Sequence, residues 1–409
     1  MSRRHLPPLT PETSAIHGFY DPQRSEGAVV PPIFATTTFA APSAEALEAG
    51  FKQAYGLGQP PCNPDLLIYT RLVNPNTEIL ERRLAVFEEA DEAAVFASGM
   101  AAIFTTINTF VRPGDTVFYS EPIYGGTHFL LSHSLPEWGV QTVPFPIDAS
   151  SDDMQRLFAK YPNVKLVLCE SPSNPTLLLA DIPELARQTH EANAILVVDN
   201  TVLGPVFQKP LLMGADLTVY SATKIIGGHS HVIAGLTMGR AELITTVKGS
   251  RTIMGTIKDP LGAWQLLISL QTLGIRARAM AKNARSVADF LRKHEKVSSV
   301  LFPGFSADPE QQRRFKEQCT GSGSLLSFHI RGGKPSAYRF LNTLRLIQLA
   351  VSLGGVESLA EHPASHTHSD VSLEDQERFG IAPDLVRLSV GLENIRDIKR
   401  DLSQALRMA

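Results

Sequence analysis

The chain has 409 residues, 43% of them apolar and 19% charged, which is enough for a large core and too long for one small domain. A net charge of −3 gives no electrostatic reason to bind nucleic acid or an anionic membrane, and no run reaches the roughly 18 apolar residues of a spanning helix. The three cysteines, Cys62, Cys169 and Cys319, lack CxxC spacing, which argues against a disulfide framework or a cysteine zinc site and for a reducing cytoplasm.

The opening MSRRHLPPLTPETSAIHGFY has no apolar h-region and is not expected to be a secretory signal. Residues 1–74 lack clear periodicity and are rich in Pro, Gly, Ser and Thr. They read as an extended arm, including the loop GLGQPPCNPD, that lies on other structure. From residue 75 the pattern changes, and TEILERRLAVFEEA predicts a helix from its three- and four-residue apolar spacing. Short apolar runs then alternate with helical stretches: AAVFA, DTVFYS, VQTVPF, VKLVLCE, AILVVDN and DLTVYS. Strands this apolar, separated by helices, predict an α/β fold with a mainly parallel sheet covered on both faces. Beyond residue 260, PLGAWQLLISLQTL and AKNARSVADFLRKH predict long helices, and SLLSFHI and LVRLSVGL predict strands of a smaller α+β part. The expected division is an arm over 1–74, a large domain over 75–275 and a C-terminal domain over 276–409.

In open α/β sheets, ligands sit beyond the carboxyl ends of the strands. AAVFA ends at Ser98-Gly99-Met100 and feeds a helix, whose N-terminus offers free backbone N–H groups and a positive dipole end to a phosphate. LVLCE brings Glu170 and Asn174 to the same rim, AILVVDN brings Asp199, and DLTVYS brings Ser221, with Lys224 three residues on. Singly, a Ser-Gly turn or a strand-ending Asp is an ordinary cap. Together they place a phosphate cradle, a carboxylate and a lysine on one edge. Lys224 is flanked by Ala222, Ile225 and Ile226 rather than by charges, unlike a surface lysine. A lysine in a partly dry pocket can lose its proton and form a Schiff base with an aldehyde. Pyridoxal phosphate is such an aldehyde, with a phosphate to be held and a ring nitrogen that a carboxylate at Asp199 would keep protonated.

These residues also carry a resemblance. VVDNT, GADLTVYSATK, GGH and IAG, together with YTRLVNPN, FASGMAAI, YGGT, ESPSNPT, SLGGVESLAEHPAS and RLSVGLE, resemble the Cys/Met-metabolism family of pyridoxal-phosphate enzymes nearly end to end. The resemblance implies the aspartate aminotransferase-like fold of type I pyridoxal-phosphate enzymes. It implies that Lys224 carries the cofactor and Asp199 partners its ring nitrogen. Gly99 and Met100 give amides to the phosphate, Ser221 and Thr223 give hydroxyls, and Asn174 lies near the ring hydroxyl. Tyr124 stacks on the ring and protonates a leaving group. Tyr69 and Arg71 reach the phosphate of a neighbouring subunit, so the site is shared within a homo-oligomer, a tetramer by resemblance. Arg387 binds the substrate carboxylate, supported by Ser352, with the apolar Val351 beside it.

Val351 before Ser352, with HPAS following, resembles methionine γ-lyases, whereas Gly126 resembles the cystathionine enzymes. The implied reaction is γ-elimination on methionine or a related homocysteine thioether. Cystathionine γ-lyase or γ-synthase chemistry is the alternative, then O-acetylhomoserine sulfhydrylase. Asn76, His231 and His366 stand where the family more often has threonine, aspartate and methionine, and they bear on substrate shape. The pairs His229/His231 and His366/His368 lack a supporting carboxylate or cysteine at metal spacing, so no metal is expected. Cys169 reads as a small buried apolar residue. A nicotinamide-binding oxidoreductase is disfavoured because no GxGxxG follows an early strand. A silent scaffold is disfavoured because Lys224 and Arg387 are both kept.

Overall fold

A computed structural model of the protein describes residues 9–54, 66–369 and 371–409. The GLGQPPCNPD insertion, Cys62 included, lies outside the described residues.

The apolar runs become strands where expected: β1 (Glu92–Phe96), β2 (Thr116–Glu121), β3 (Gln141–Pro146), β4 (Val164–Glu170), β5 (Ile195–Asp199) and β6 (Leu217–Ser221). A seventh, β7 (Gly235–Gly239), was not foreseen, because GLTMG is short and carries two residues of poor strand propensity. Its glycine is required by packing: a Cβ at Gly235 would lie 2.0 Å from the Ser98 carbonyl oxygen. The order β1-β7-β6-β5-β4-β2-β3 runs parallel from β3 through β6, with β7 alone reversed. β3 contains Pro144, which an edge strand tolerates because one side of its backbone makes no ladder bonds. Leu166, Val167 and Leu168 are all buried, as expected for a strand covered on both faces.

The helix predicted from residue 75 is α3, Pro75–Glu88 in chain order. It starts sharply because Asn74 caps the Asn76 N–H and Pro75 sits at the first helical position. Two shorter helices, α1 (Pro11–His17) and α2 (Ala44–Ala54), form within the stretch read as an extended arm. The N-terminal part of that stretch lies against α3. Arg83 donates to the carbonyls of Ala15 and Gly18, and Asn76 exchanges hydrogen bonds with Phe34 N–H and the Pro32 carbonyl.

The long apolar run after residue 260 breaks at Gln271-Thr272, giving helices Pro260–Leu270 and Leu273–Leu291. The second of these bridges two cores. Its Leu273, Ala277 and Met280 join the core on one face of the large sheet, and its Ala284, Val287 and Leu291 join a second core. That second core backs a five-stranded sheet of β8 (Val297–Leu301), β9 (Leu325–Ile330), β10 (Gln348–Leu349), β11 (Leu359–Glu361) and β12 (Leu385–Ser389). Its order is β10-β11-β12-β9-β8.

Candidate active site

The carboxyl ends of β1, β4, β5 and β6 open on a cavity of about 700 Å³, closed on its other side by the segment between β10 and β11, the turn after β11, and β12. The residues assigned above to cofactor and substrate all line it except Tyr69 and Arg71; of the three departures from the family pattern His366 lines it, whereas Asn76 and His231 do not. Tyr69 and Arg71 stand outside the chain's own cavity. Tyr69 is exposed with the Arg71 guanidinium over its ring, and Arg71 donates to the Thr252 carbonyl at 2.9 Å.

On the sheet side, helix α4 (Gly99–Phe110) begins at the cavity wall. Ser98 caps it by accepting the Ala101 N–H at 3.0 Å. The first amides of a helix have no intrahelical acceptor, so those of Gly99 and Met100 remain for a ligand. A Cβ at residue 99 would stand 2.9 Å from that of Ser221, so glycine is what lets helix and strand end close into a cradle. Thr223 Oγ1 is tied to Ala234, accepting its N–H at 3.0 Å and donating to its carbonyl at 3.2 Å.

Asp199 ends β5 and is 7% exposed, with no cationic partner among the described residues. Its Oδ1 accepts both the N–H and the hydroxyl of Thr201, and Thr201 Oγ1 in turn accepts the Ser221 N–H. This aspartate-to-i+2 bond is an Asx turn, and the sheet ties it to Ser221. Glu170 accepts the amides of Tyr124 and Asn174, at 2.8 and 3.0 Å. Burial raises both carboxyls above the usual range, Glu170 further by facing Asp199. A cationic group placed against Asp199 would relieve that cost.

The Lys224 amine donates to Ser352 Oγ at 2.8 Å. Burial, reinforced by the nearby Arg387 guanidinium, pulls it down to about 8, so a usable fraction is uncharged at neutral pH. Ser352 itself has φ +95°, a strained conformation for a residue with a Cβ. It is held from both ends, because its carbonyl accepts Arg387 Nη2 at 2.9 Å.

Arg387 is 3% exposed, and its Nη1 meets Glu361 Oε1 at 2.8 Å and Asn174 Oδ1 at 3.1 Å. The Asn174 side chain therefore faces the arginine. Glu361, missed at the sequence level, is 1% exposed and also accepts from Thr367 Oγ1 at 3.0 Å. Tyr124 is half-exposed at the mouth, its ring lying against Gly126, where a Cβ would come within 2.8 Å of Cε1. Val351, Leu349 and Ile233 give the cavity apolar wall.

A buried amine, an unpaired buried carboxylate and a helix-end cradle in one cavity fit a phosphorylated aldehyde with a basic ring nitrogen. The family model for Cys/Met metabolism PLP-dependent enzymes matches residues 12–407. The chain belongs to that family, and its cofactor is pyridoxal 5'-phosphate. An L-methionine gamma-lyase of Pseudomonas putida is 38% identical over 401 residues, covering 97% of this chain and 96% of that protein. A cystathionine gamma-lyase of Sus scrofa is 38% identical over 400 residues, covering 97% and 93%. The crystal structure of cystathionine gamma synthase from Xanthomonas oryzae pv. oryzae, in complex with aminoacrylate and cysteine, superposes with a TM-score of 0.90 at 33% identity, covering 98% of this chain and 99% of that one.

Elsewhere, His229 and His231 stack edge to face, 5.6 Å between ring centroids, and no cluster of three or more potential metal ligands exists among the described residues. Cys169 is buried among apolar side chains and its thiol is pushed up to about 12 by burial, which makes it inert as a nucleophile. No helix among the described residues is long and apolar enough to cross a membrane.

Proposed function

We propose that the chain is a methionine γ-lyase-like enzyme that converts methionine and water to 2-oxobutanoate, ammonia and methanethiol. The observation that carries this reading is the Lys224 amine bonded to Ser352, whose carbonyl is bonded in turn to Arg387, beside an apolar wall. A substrate anchored at Arg387 by its carboxylate would lie across Lys224 with its side chain against Val351, Leu349 and Ile233. An uncharged thioether suits that wall.

Pyridoxal phosphate, held at Gly99, Met100, Ser221, Thr223 and Asp199, would supply the aldehyde for Lys224 and the electron sink for the substrate α-carbon. Arg387 binds and orients the carboxylate through its planar fork. Lys224, uncharged in a useful fraction, takes the α-proton and then moves a β-proton. Asp199 keeps a proton on a ring nitrogen by its buried negative charge. Tyr124 gives its hydroxyl proton to the departing thiolate. Cystathionine γ-lyase or γ-synthase chemistry is the second reading, favoured by Gly126, where the Tyr124 ring leaves no room for a side chain; O-acetylhomoserine sulfhydrylase follows it.

The proposed assembly is a homotetramer with each site shared between two chains. Supporting it, Tyr69 and Arg71 stand outside their own cavity while Ile233, Ile253, Leu261 and Ile275 are exposed. The free thiols of Cys169 and Cys319 support a cytoplasmic setting.

Incubation with methionine and, separately, with cystathionine, assaying 2-oxobutanoate and released thiol, tests the reaction. Methanethiol from methionine is expected. Its absence, with turnover of cystathionine, transfers the assignment to the second reading.

A further inference from the structure

The substrate-facing wall has a charge problem. Arg387 is already paired with Glu361, and both are almost fully buried. A carboxylate arriving beside Arg387 would make two carboxylates around one guanidinium in a poorly hydrated place, and uncompensated buried charge is costly.

The structure also holds a means of relief. Glu361 uses only Oε1 for Arg387 and Thr367, while its buried Oε2 has no hydrogen-bond partner among the described residues. His366 can become cationic there: its Nδ1 is 4.0 Å from that oxygen and its side chain lines the cavity. The same nitrogen lies 3.2 Å from the His362 backbone N–H. A neutral imidazole accepts that N–H; a protonated one carries hydrogen on both nitrogens, cannot accept it, and finds its acceptor in Glu361 Oε2. The other polar and titratable groups facing this corner are the His362 ring, 6.2 Å from the His366 ring between centroids and backed by Tyr338 and Lys334, the adjoining Thr367 and His368, Arg387 across Glu361, and Lys224, on which the Glu361 charge also acts.

We propose that His366 is a positioning residue for the substrate carboxylate: on taking up a proton it pairs with Glu361 and leaves the charge of Arg387 to the incoming carboxylate. The idea rests on the assignment of Arg387 made above. Histidine is suited to the task because its ring nitrogen accepts a hydrogen bond when neutral and donates one when protonated.

The test uses the cofactor-loaded enzyme, its His366→Met and His366→Gln variants, and the desamino analogue of methionine, 4-(methylthio)butanoate. This probe keeps the carboxylate and cannot react. Calorimetric titration in buffers of different ionisation enthalpy reads the protons taken up on binding. The wild type is expected to take up a measurable fraction of a proton and to bind about tenfold tighter at pH 6 than at pH 8. Both variants are expected to take up none and to bind at either pH as the wild type does at pH 8. In turnover, the KM for methionine rises with pH in the wild type relative to the variants, while kcat follows one profile in all three. Equal proton uptake in the three proteins, or no binding of the probe by the wild type at any of these pH values, overturns the proposal. Failure to release methanethiol from methionine sinks the reaction assignment instead, and leaves the calorimetric comparison standing.

Discussion

The two walls of the cavity solve the burial of charge in opposite ways. The sheet wall presents Asp199 and Glu170 without an ion-pair partner among the described residues, held by N–H and O–H donors with Arg387 acting on Glu170 only at longer range, and Lys224 without a carboxylate in contact. The opposite wall presents Arg387 already paired with Glu361. Uncompensated groups await a ligand that compensates them, which is what a resident cofactor with a phosphate, an aldehyde and a basic nitrogen does. A compensated pair instead makes a site whose net charge can be adjusted for a substrate that comes and goes.

Breaking the paired wall is expected to have the larger effect on stability. Arg387→Ala leaves the Glu361 carboxylate buried alone and should cost about 3–5 kcal/mol in chemical denaturation of the cofactor-free protein. Adding Glu361→Gln should recover most of that loss, whereas additive losses in the double variant would show that the two residues do not act as a pair.

The unpaired wall predicts the opposite sign. The Lys224 ammonium is disfavoured by the fold, its folded value of about 8 lying below the ordinary 10.5. The destabilisation is therefore full below pH 8 and fades as pH rises toward 10.5. Lys224→Met should stabilise the cofactor-free protein by about 1–3 kcal/mol at pH 7, discounting for residual solvent. The gain should shrink toward zero near pH 10 in parallel melts. A gain independent of pH would mean that the effect is packing and that the two walls do not differ in this way.

The same contrast explains what could be read from the residues alone. Strands β1 to β6 announce themselves because a parallel strand covered on both faces must be apolar throughout. The ends of such strands are fixed in sequence, so Ser98, Asp199 and Lys224 fall on the sheet wall without further information. β7 hides because Gly235 is chosen for its close approach to Ser98, against local propensity. Helices α1 and α2 hide because the stretch around them is rich in Pro, Gly, Ser and Thr, and because they are short: α1 has seven residues and α2 shows only Leu47, Phe51 and Ala54 at helical spacing. On the other wall, Arg387 was identified by resemblance, but Glu361 was not, since the pairing of β11 with β12 brings them together from 26 positions apart (387 − 361). The Asn174 side chain, expected at a ring hydroxyl, faces Arg387 for the same tertiary reason.

The central claim is that the amine at position 224 is the one that joins the cofactor. Reconstitution with pyridoxal phosphate, borohydride reduction and peptide mass mapping test it most directly. The account predicts the cofactor mass on the peptide containing Lys224 and none in Lys224→Ala, whose activity should fall by about 10⁴-fold. A label on another lysine, or full labelling and turnover in Lys224→Ala, would contradict it.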